Sequence, residues 1–183
     1  MKIEPPKADT RWIPGFQEKY AVWFREAEAL LEAHQYATTF KNYPFPSFEE
    51  TPWAPVRTPL AKGRLGIIST AALYRRNIDP PFSDTAEGDP RVLELPGDVK
   101  ASELTTSHTH IPQDAIRSDV NVALPLDALR VLVRGKHIGE LAPRFFSLIG
   151  YRTRADEVAT QTATKIAAAL KDDGVTHALL VPV

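Results

Sequence analysis

His108 and His110 are separated by one residue, and on an extended segment that spacing puts both imidazoles on the same side. Imidazole exchanges a proton near neutral pH, so the pair is suited to act as acid, base or metal ligand. The plainer alternative is that both rings hydrogen-bond loop backbone. Two histidines also suit zinc or iron, with Asp114 or Asp119 adding a carboxylate. A structural zinc takes four ligands, however, and the 183 residues contain no cysteine, so no metal is assigned. The same lack removes disulfides, thiolate sites and cysteine nucleophiles from these residues.

Other polar groups are placed to bind a ligand. Ser69, Thr70, Tyr74 and Arg75 follow the apolar run Leu65-Gly66-Ile67-Ile68. If that run is a strand, they lie at its carboxyl end, where open α/β sheets bind ligands. The planar fork of Arg75 suits a carboxylate, although a solvated Arg75–Arg76 pair is the alternative. Asp119 and Asn121 precede Pro125 and suit a substrate amine; loop and cap hydrogen bonding is what these residues ordinarily do. His137 and His177 sit beside apolar residues and are expected to pack or cap. There is neither a Gly-x-Gly-x-x-Gly fingerprint nor a phosphate loop, so no nucleotide cofactor is implied, and the expected cofactor set is empty.

These residues need a scaffold. Phe16, Tyr20, Trp23, Phe24, Ala27, Leu30 and Leu31 recur every three or four residues, which predicts a helix over Phe16–Gln35. From Thr38 to Gly63 five prolines alternate with Phe40, Tyr43, Phe45, Phe48 and Trp53; this reads as an extended arm that packs its rings on this domain or on another subunit. The run from Leu65 to Thr70 reads as a strand buried on both faces, and Arg91–Leu95 is a second candidate strand. Pro125–Val133 reads as a short helix, with Gly135 past its end. Thr153–Asp156 fits a capping box opening a helix from about Ala155 to Lys171, and Gly174 sits where a left-handed cap belongs. Ala178–Val183 then reads as a further buried strand. The expected class is α/β, a three-layer Rossmann-like or flavodoxin-like domain with a largely parallel sheet. Residues 1–63 form the helix and arm, and residues 64–183 the core.

Composition narrows the partners. A formal net charge of −1 gives no broad footprint for nucleic acid or an anionic membrane. No apolar run approaches the roughly 20 residues that span a bilayer. Met1–Trp12 is polar and lacks the apolar core of a secretory signal, so the expected location is cytoplasmic.

Several stretches resemble one family in their order and spacing. They are Tyr43-Pro-Phe-Pro-Ser-Phe with Thr51-Pro-Trp; Ile67 to Arg76 with Asp79-Pro-Pro-Phe; Ser107-His-Thr-His with Asp114, Asp119-Val-Asn and Leu124-Pro-Leu-Asp; Ile138-Gly139, Phe146-Ser147 and Asp173-Gly-Val. Together they resemble the selenoprotein B component of the glycine, sarcosine, betaine and D-proline reductases. The resemblance implies a strand like Ala178–Val183 that runs into a selenocysteine-x-x-cysteine or cysteine-x-x-cysteine pair. The first residue of that pair attacks the substrate carbon and displaces nitrogen. Val183 comes just before the expected position, which leaves two expectations: an in-frame UGA read as stop, or a short form that binds substrate without the redox step. The resemblance further implies a small-molecule substrate, a reductase partner subunit or homo-oligomer, electrons returned through a dithiol, and His108 and His110 orienting a carboxylate or protonating a leaving amine. A non-catalytic binding subunit, and a hydrolase using a metal on His108, His110 and Asp114, remain as alternatives.

Overall fold

The computed structural model describes residues 15–46 and 53–183. In chain order the helices and strands are α1 (Phe16–Glu32), α2 (Tyr36–Thr39), β1 (Arg64–Ser69), β2 (Leu73–Arg75), β3 (Leu93–Pro96), β4 (Leu104–Thr106), α3 (Asp114–Ser118), α4 (Leu126–Arg134), β5 (Glu140–Leu141), β6 (Arg144–Ser147), α5 (Ala155–Glu157), α6 (Ala163–Asp172) and β7 (His177–Val181). The expected readings of Met1–Trp12, Phe48, Thr51 and Pro52 fall outside the described residues.

The class is α/β, with a mixed, mostly parallel sheet. β1 lies at its centre because Leu65, Ile67 and Ile68 find apolar cover on both faces. β5 and β6 follow one another along one side of β1, and β7 runs along the other, all three parallel to it. β3 departs from the expected pattern and pairs antiparallel with β6. Its alternation explains this: Leu95 is buried while Glu94 is exposed, the signature of a strand covered on one face. Ile67 packs in one cluster with Leu126, Leu129 and Phe145, and Ile68 in another with Phe146 and Ile166. Successive residues of β1 thus meet α4 and α6. β2 and β4 form a separate antiparallel pair beyond the carboxyl end of β1.

β7 differs from the expected doubly buried strand. Leu179 and Val181 pack on the main core, but Leu180 is 69% exposed, and among the described residues β7 pairs with β1 alone. The capping box at Thr153–Asp156 does not form. The Thr153 hydroxyl instead bonds the Tyr20 hydroxyl at 2.8 Å, and Asp156 pairs with Arg154 and Gln17. The expected helix continues to Asp172 but contains a π-helical turn over Val158–Thr162. Gly174 takes the left-handed conformation, φ 67°, as expected.

α1 is held by aromatic packing. Phe16, Tyr20, Trp23, Ala27 and Leu31 are buried, and Tyr43 stands edge-on to Trp23 with ring centroids 4.8 Å apart. The Trp23 indole N–H donates to the Thr39 carbonyl at 3.0 Å. The Tyr20 hydroxyl donates to Glu87 at 2.6 Å, and the Tyr43 hydroxyl to the Thr153 carbonyl at 2.8 Å. The helix ends at Glu32, short of the expected Gln35, because the chain turns at His34 with φ 56°. The arm's rings divide: Phe40 and Tyr43 join this cluster, while Phe45 and Trp53 stay exposed.

Candidate functional site

The carboxyl end of β1 gathers four segments far apart in sequence. The Thr106 hydroxyl donates to the Ala71 carbonyl at 2.6 Å and accepts the His108 backbone N–H at 3.0 Å. His108 is thereby anchored just past the tip of β1, with its ring buried. The segment turns there rather than staying extended, and the His110 N–H donates to His108 Nδ1 at 3.3 Å. The two imidazoles meet edge to face, 5.7 Å between centroids. Tyr151, placed by the end of β6, stacks on His110 at 3.9 Å and donates its hydroxyl to the Ala86 carbonyl at 3.0 Å. The Tyr36 hydroxyl pairs with His110 Nδ1. Asp84 and His34 complete the group: Asp84 Oδ1 is 3.3 Å from His110 Nε2, and Asp84 Oδ2 is 3.9 Å from His34 Nε2.

Burial dominates the electrostatics. It pushes His108 down to about 4, helped by the neighbouring His110. It also holds His110 below the usual histidine range, although Asp84 pulls the other way. Both rings are therefore neutral near pH 7. They act as hydrogen-bond partners and proton acceptors there, and supply no standing positive charge. Burial also raises Tyr36 and Tyr151, which keeps both phenols protonated.

The buried His108 makes stability depend on pH. The unfolded chain takes a proton on this residue below about pH 6.5, while the folded chain refuses it until about pH 4. Stability is full above the first value and falls as the pH drops toward the second. His108 alone is expected to cost about 2 kcal/mol by pH 5, relative to pH 7. Urea unfolding at the two pH values measures this. His108→Gln should flatten the difference by that amount; an equal loss in both proteins would contradict it.

The other polar residues singled out in the sequence are dispersed. The Thr70 hydroxyl accepts the Val183 N–H at 2.9 Å, so the tip of the β7 segment lies beside the residue that leads into Ala71. Ser69 is buried and donates to the Ala123 carbonyl at 2.8 Å. Tyr74 is half-buried opposite Thr105 in the β2–β4 pair. The Arg75 guanidinium forks onto Asp79 at 2.7 and 2.8 Å. Asp114 is exposed at the start of α3. Asp119 accepts from Asn121, and Asn121 in turn bonds the Asp127 carboxylate and backbone N–H, tying down the first turn of α4. His34, Tyr36, Asp84 and Tyr151 are the members that sequence reading missed; no motif marks them.

Two clefts flank the cluster. One, of about 400 Å³, lies between the end of α1 and residues 84–86 and is walled by His34, Asp84 and His110. The other, of about 320 Å³ and largely apolar, is lined by Thr70, Gly150, Arg152, Val158 and Ala159, where the π-helical turn opens. Among the described residues no three histidine or acidic groups converge as metal ligands.

Fold and site together define an α/β domain that gathers histidine and tyrosine side chains at the carboxyl ends of β1 and β6. The chain belongs to the glycine/sarcosine/betaine reductase selenoprotein B family, whose model matches residues 25–182. It is 27% identical over 128 residues to the D-proline reductase subunit gamma of Acetoanaerobium sticklandii, a match covering 70% of this chain and 52% of that protein. It is 25% identical over 114 residues to the sarcosine reductase complex component B subunit beta of Peptoclostridium acidaminophilum, covering 61% of this chain and 26% of that protein. The chain thus spans about half of the first relative and about a quarter of the second. No solved structure matches it. Among the described residues no helix is long and apolar enough to cross a membrane.

Proposed function

We propose that the chain is a substrate-binding subunit of a selenoprotein B-type reductase, acting in the reductive cleavage of a small amino acid, betaine or related compound. The family match over residues 25–182 carries this reading, and the relatives' names, both subunits of reductases, support a partner subunit. The histidine–tyrosine cluster is the substrate site. His110 is the proton-handling residue, because its ring borders a cleft; His108 holds the His110 backbone in place and adds a neutral ring beside it. Thr70 accepts the Val183 N–H on its hydroxyl and the Gly150 N–H on its carbonyl, one residue from Tyr151. None of the 183 residues is a cysteine, so the chalcogen that attacks substrate is supplied from outside them, and a dithiol partner returns the electrons. A cytoplasmic location, a Rossmann-like layering with helices on both sheet faces, and an arm of residues 1–63 acting with the core of residues 64–183 belong to the same proposal. So do supporting roles for Ser69, Tyr74, Arg75, Asp114, Asp119 and Asn121 around the substrate path. In the folded chain, however, Arg75 and Asn121 are already engaged by Asp79 and Asp127.

Thermal unfolding with glycine, sarcosine, betaine and D-proline tests the reading. A ligand at about 100 times its dissociation constant stabilises by about 2.7 kcal/mol. At least one of the four should raise the melting temperature, and His110→Gln should abolish the rise. If none does so at tens of millimolar, the chain is not a substrate-binding subunit for this class.

A further inference from the structure

Residues 53–60 form an exposed arm. Trp53 is 88% exposed and Val56 76%, and Leu60 is exposed as well. Large apolar side chains left in water at such close spacing mark a contact surface. Residues 53–57 carry neither helix nor strand. Pro55 and Pro59 fix their own φ and push Ala54 and Thr58 toward extended backbone, and Pro59 has φ −58° and ψ 142°. In an extended helix of three residues per turn, Trp53, Val56 and Pro59 share one edge. Such a segment is already ordered, so little conformational entropy is lost when it docks, and aromatic-lined grooves are what it docks into.

A groove of that kind, about 500 Å³ in volume, runs along α1. Val22, Trp23 and Pro44 form its apolar surface; Glu18, Lys19 and Glu26 are its charged residues, which leaves it acidic by one charge. The one charge on the arm is Arg57. Neither Glu18, Glu26 nor Arg57 forms an ion pair with another described residue. The lengths agree as well. Trp53 to Arg57 spans about 12 Å at ~3.1 Å per extended residue, and Glu18 to Glu26 spans about 12 Å at ~1.5 Å per helical residue.

We propose that the arm of one copy of this chain docks in the α1 groove of a second copy, whose own arm docks in the groove of the first. Trp53 is the anchor, and Arg57 faces the glutamates of the rim. The exchange is reciprocal, so it closes as a two-fold dimer. Once one arm is seated the other docks within the same complex, which reinforces the pair. None of these residues belongs to the histidine–tyrosine cluster.

Sedimentation velocity of the full chain, from low to high micromolar concentration, tests this. A monomer–dimer equilibrium is expected, and Trp53→Ala should raise its dissociation constant at least about tenfold, as loss of an aromatic anchor does. Arg57→Glu and Glu26→Arg should each weaken the dimer, and the two together should bind more tightly than either alone. Trp53, Glu26 and Arg57 are exposed, so in protein dilute enough to be monomeric all three single variants should keep the parent's melting temperature. A chain that stays monomeric throughout overturns the proposal. So does a dimer indifferent to Trp53→Ala, and so does one indifferent to Glu26→Arg, which would mean that arm meets arm. A double variant no tighter than the singles overturns it too.

Discussion

Trp23→Ala should lower the unfolding free energy by about 3–5 kcal/mol, the range for deleting a buried large aromatic ring. The ring is 6% exposed and packs on Tyr20, Phe40 and Tyr43 with centroids 4.8–5.7 Å away. Its indole also holds the Thr39 carbonyl at the end of α2. The truncation therefore leaves a cavity and an orphaned carbonyl together. Its consequence for function follows from chain position: His34 and Tyr36 lie between α1 and that carbonyl, so loosening the hairpin loosens the Tyr36–His110 bond. Urea titration of Trp23→Ala beside Val22→Ala, which alters an exposed neighbour, makes the comparison internal. The neighbour should stay within about 0.5 kcal/mol of the parent. A loss below about 1 kcal/mol for Trp23→Ala would mean that α1 is not docked as described.

Gly88→Ala is expected to be comparably damaging, for a different reason. Gly88 has φ 80°, and a Cβ there would lie 2.0 Å from the Tyr151 carbonyl oxygen. No flexible side chain can yield to it, so backbone must move. The turn is latched to the 151–153 segment by the Thr153 N–H on the Glu87 carbonyl at 3.2 Å and by Arg152 on the Gly88 carbonyl at 2.8 Å. Left-handed backbone strain of about 1–2 kcal/mol adds to the clash, and a total of about 3 kcal/mol or more is expected. Gly174→Ala is the control: it shares the positive φ but meets only the end of the Arg64 side chain, at 3.2 Å, and should show the strain alone. Because the 84–88 loop carries Asp84 and Tyr151 carries the stacking on His110, Gly88→Ala should also weaken ligand binding. Chemical denaturation and a sarcosine titration of both variants check this; equal losses for the two would refute the close approach.

Much of the scaffold could be read in the sequence because local periodicity dictated it. The five buried residues of α1 follow its three-and-four spacing, and Ile67 and Ile68 are adjacent apolar residues because β1 is covered on both faces. The direction of β3 was not legible, since a short apolar run does not encode whether its neighbour is parallel. The capping box failed because a long-range partner, Tyr20, claims the Thr153 hydroxyl. The site was only partly visible. His108 and His110 stood out by spacing. Asp84 lies in a loop with nothing to mark it, Tyr36 falls between the predicted helix and the aromatic arm and belongs to neither pattern, and Tyr151 follows a strand too short to notice. Their meeting is set by tertiary contacts between residues 34–36, 84–86, 108–110 and 151, which no local window contains. The neutrality of the histidine pair was equally hidden, because burial decides it and composition does not.

The proposed function requires that substrate bind in the cluster at the carboxyl end of β1. A co-crystal structure with whichever of glycine, sarcosine, betaine or D-proline stabilises the chain most tests it directly. The ligand should lie in the cleft walled by His34, Asp84 and His110. A ligand seated instead in the groove of about 500 Å³ between α1 and Pro44, or in the cleft between Arg91 and Gln161, would contradict the account.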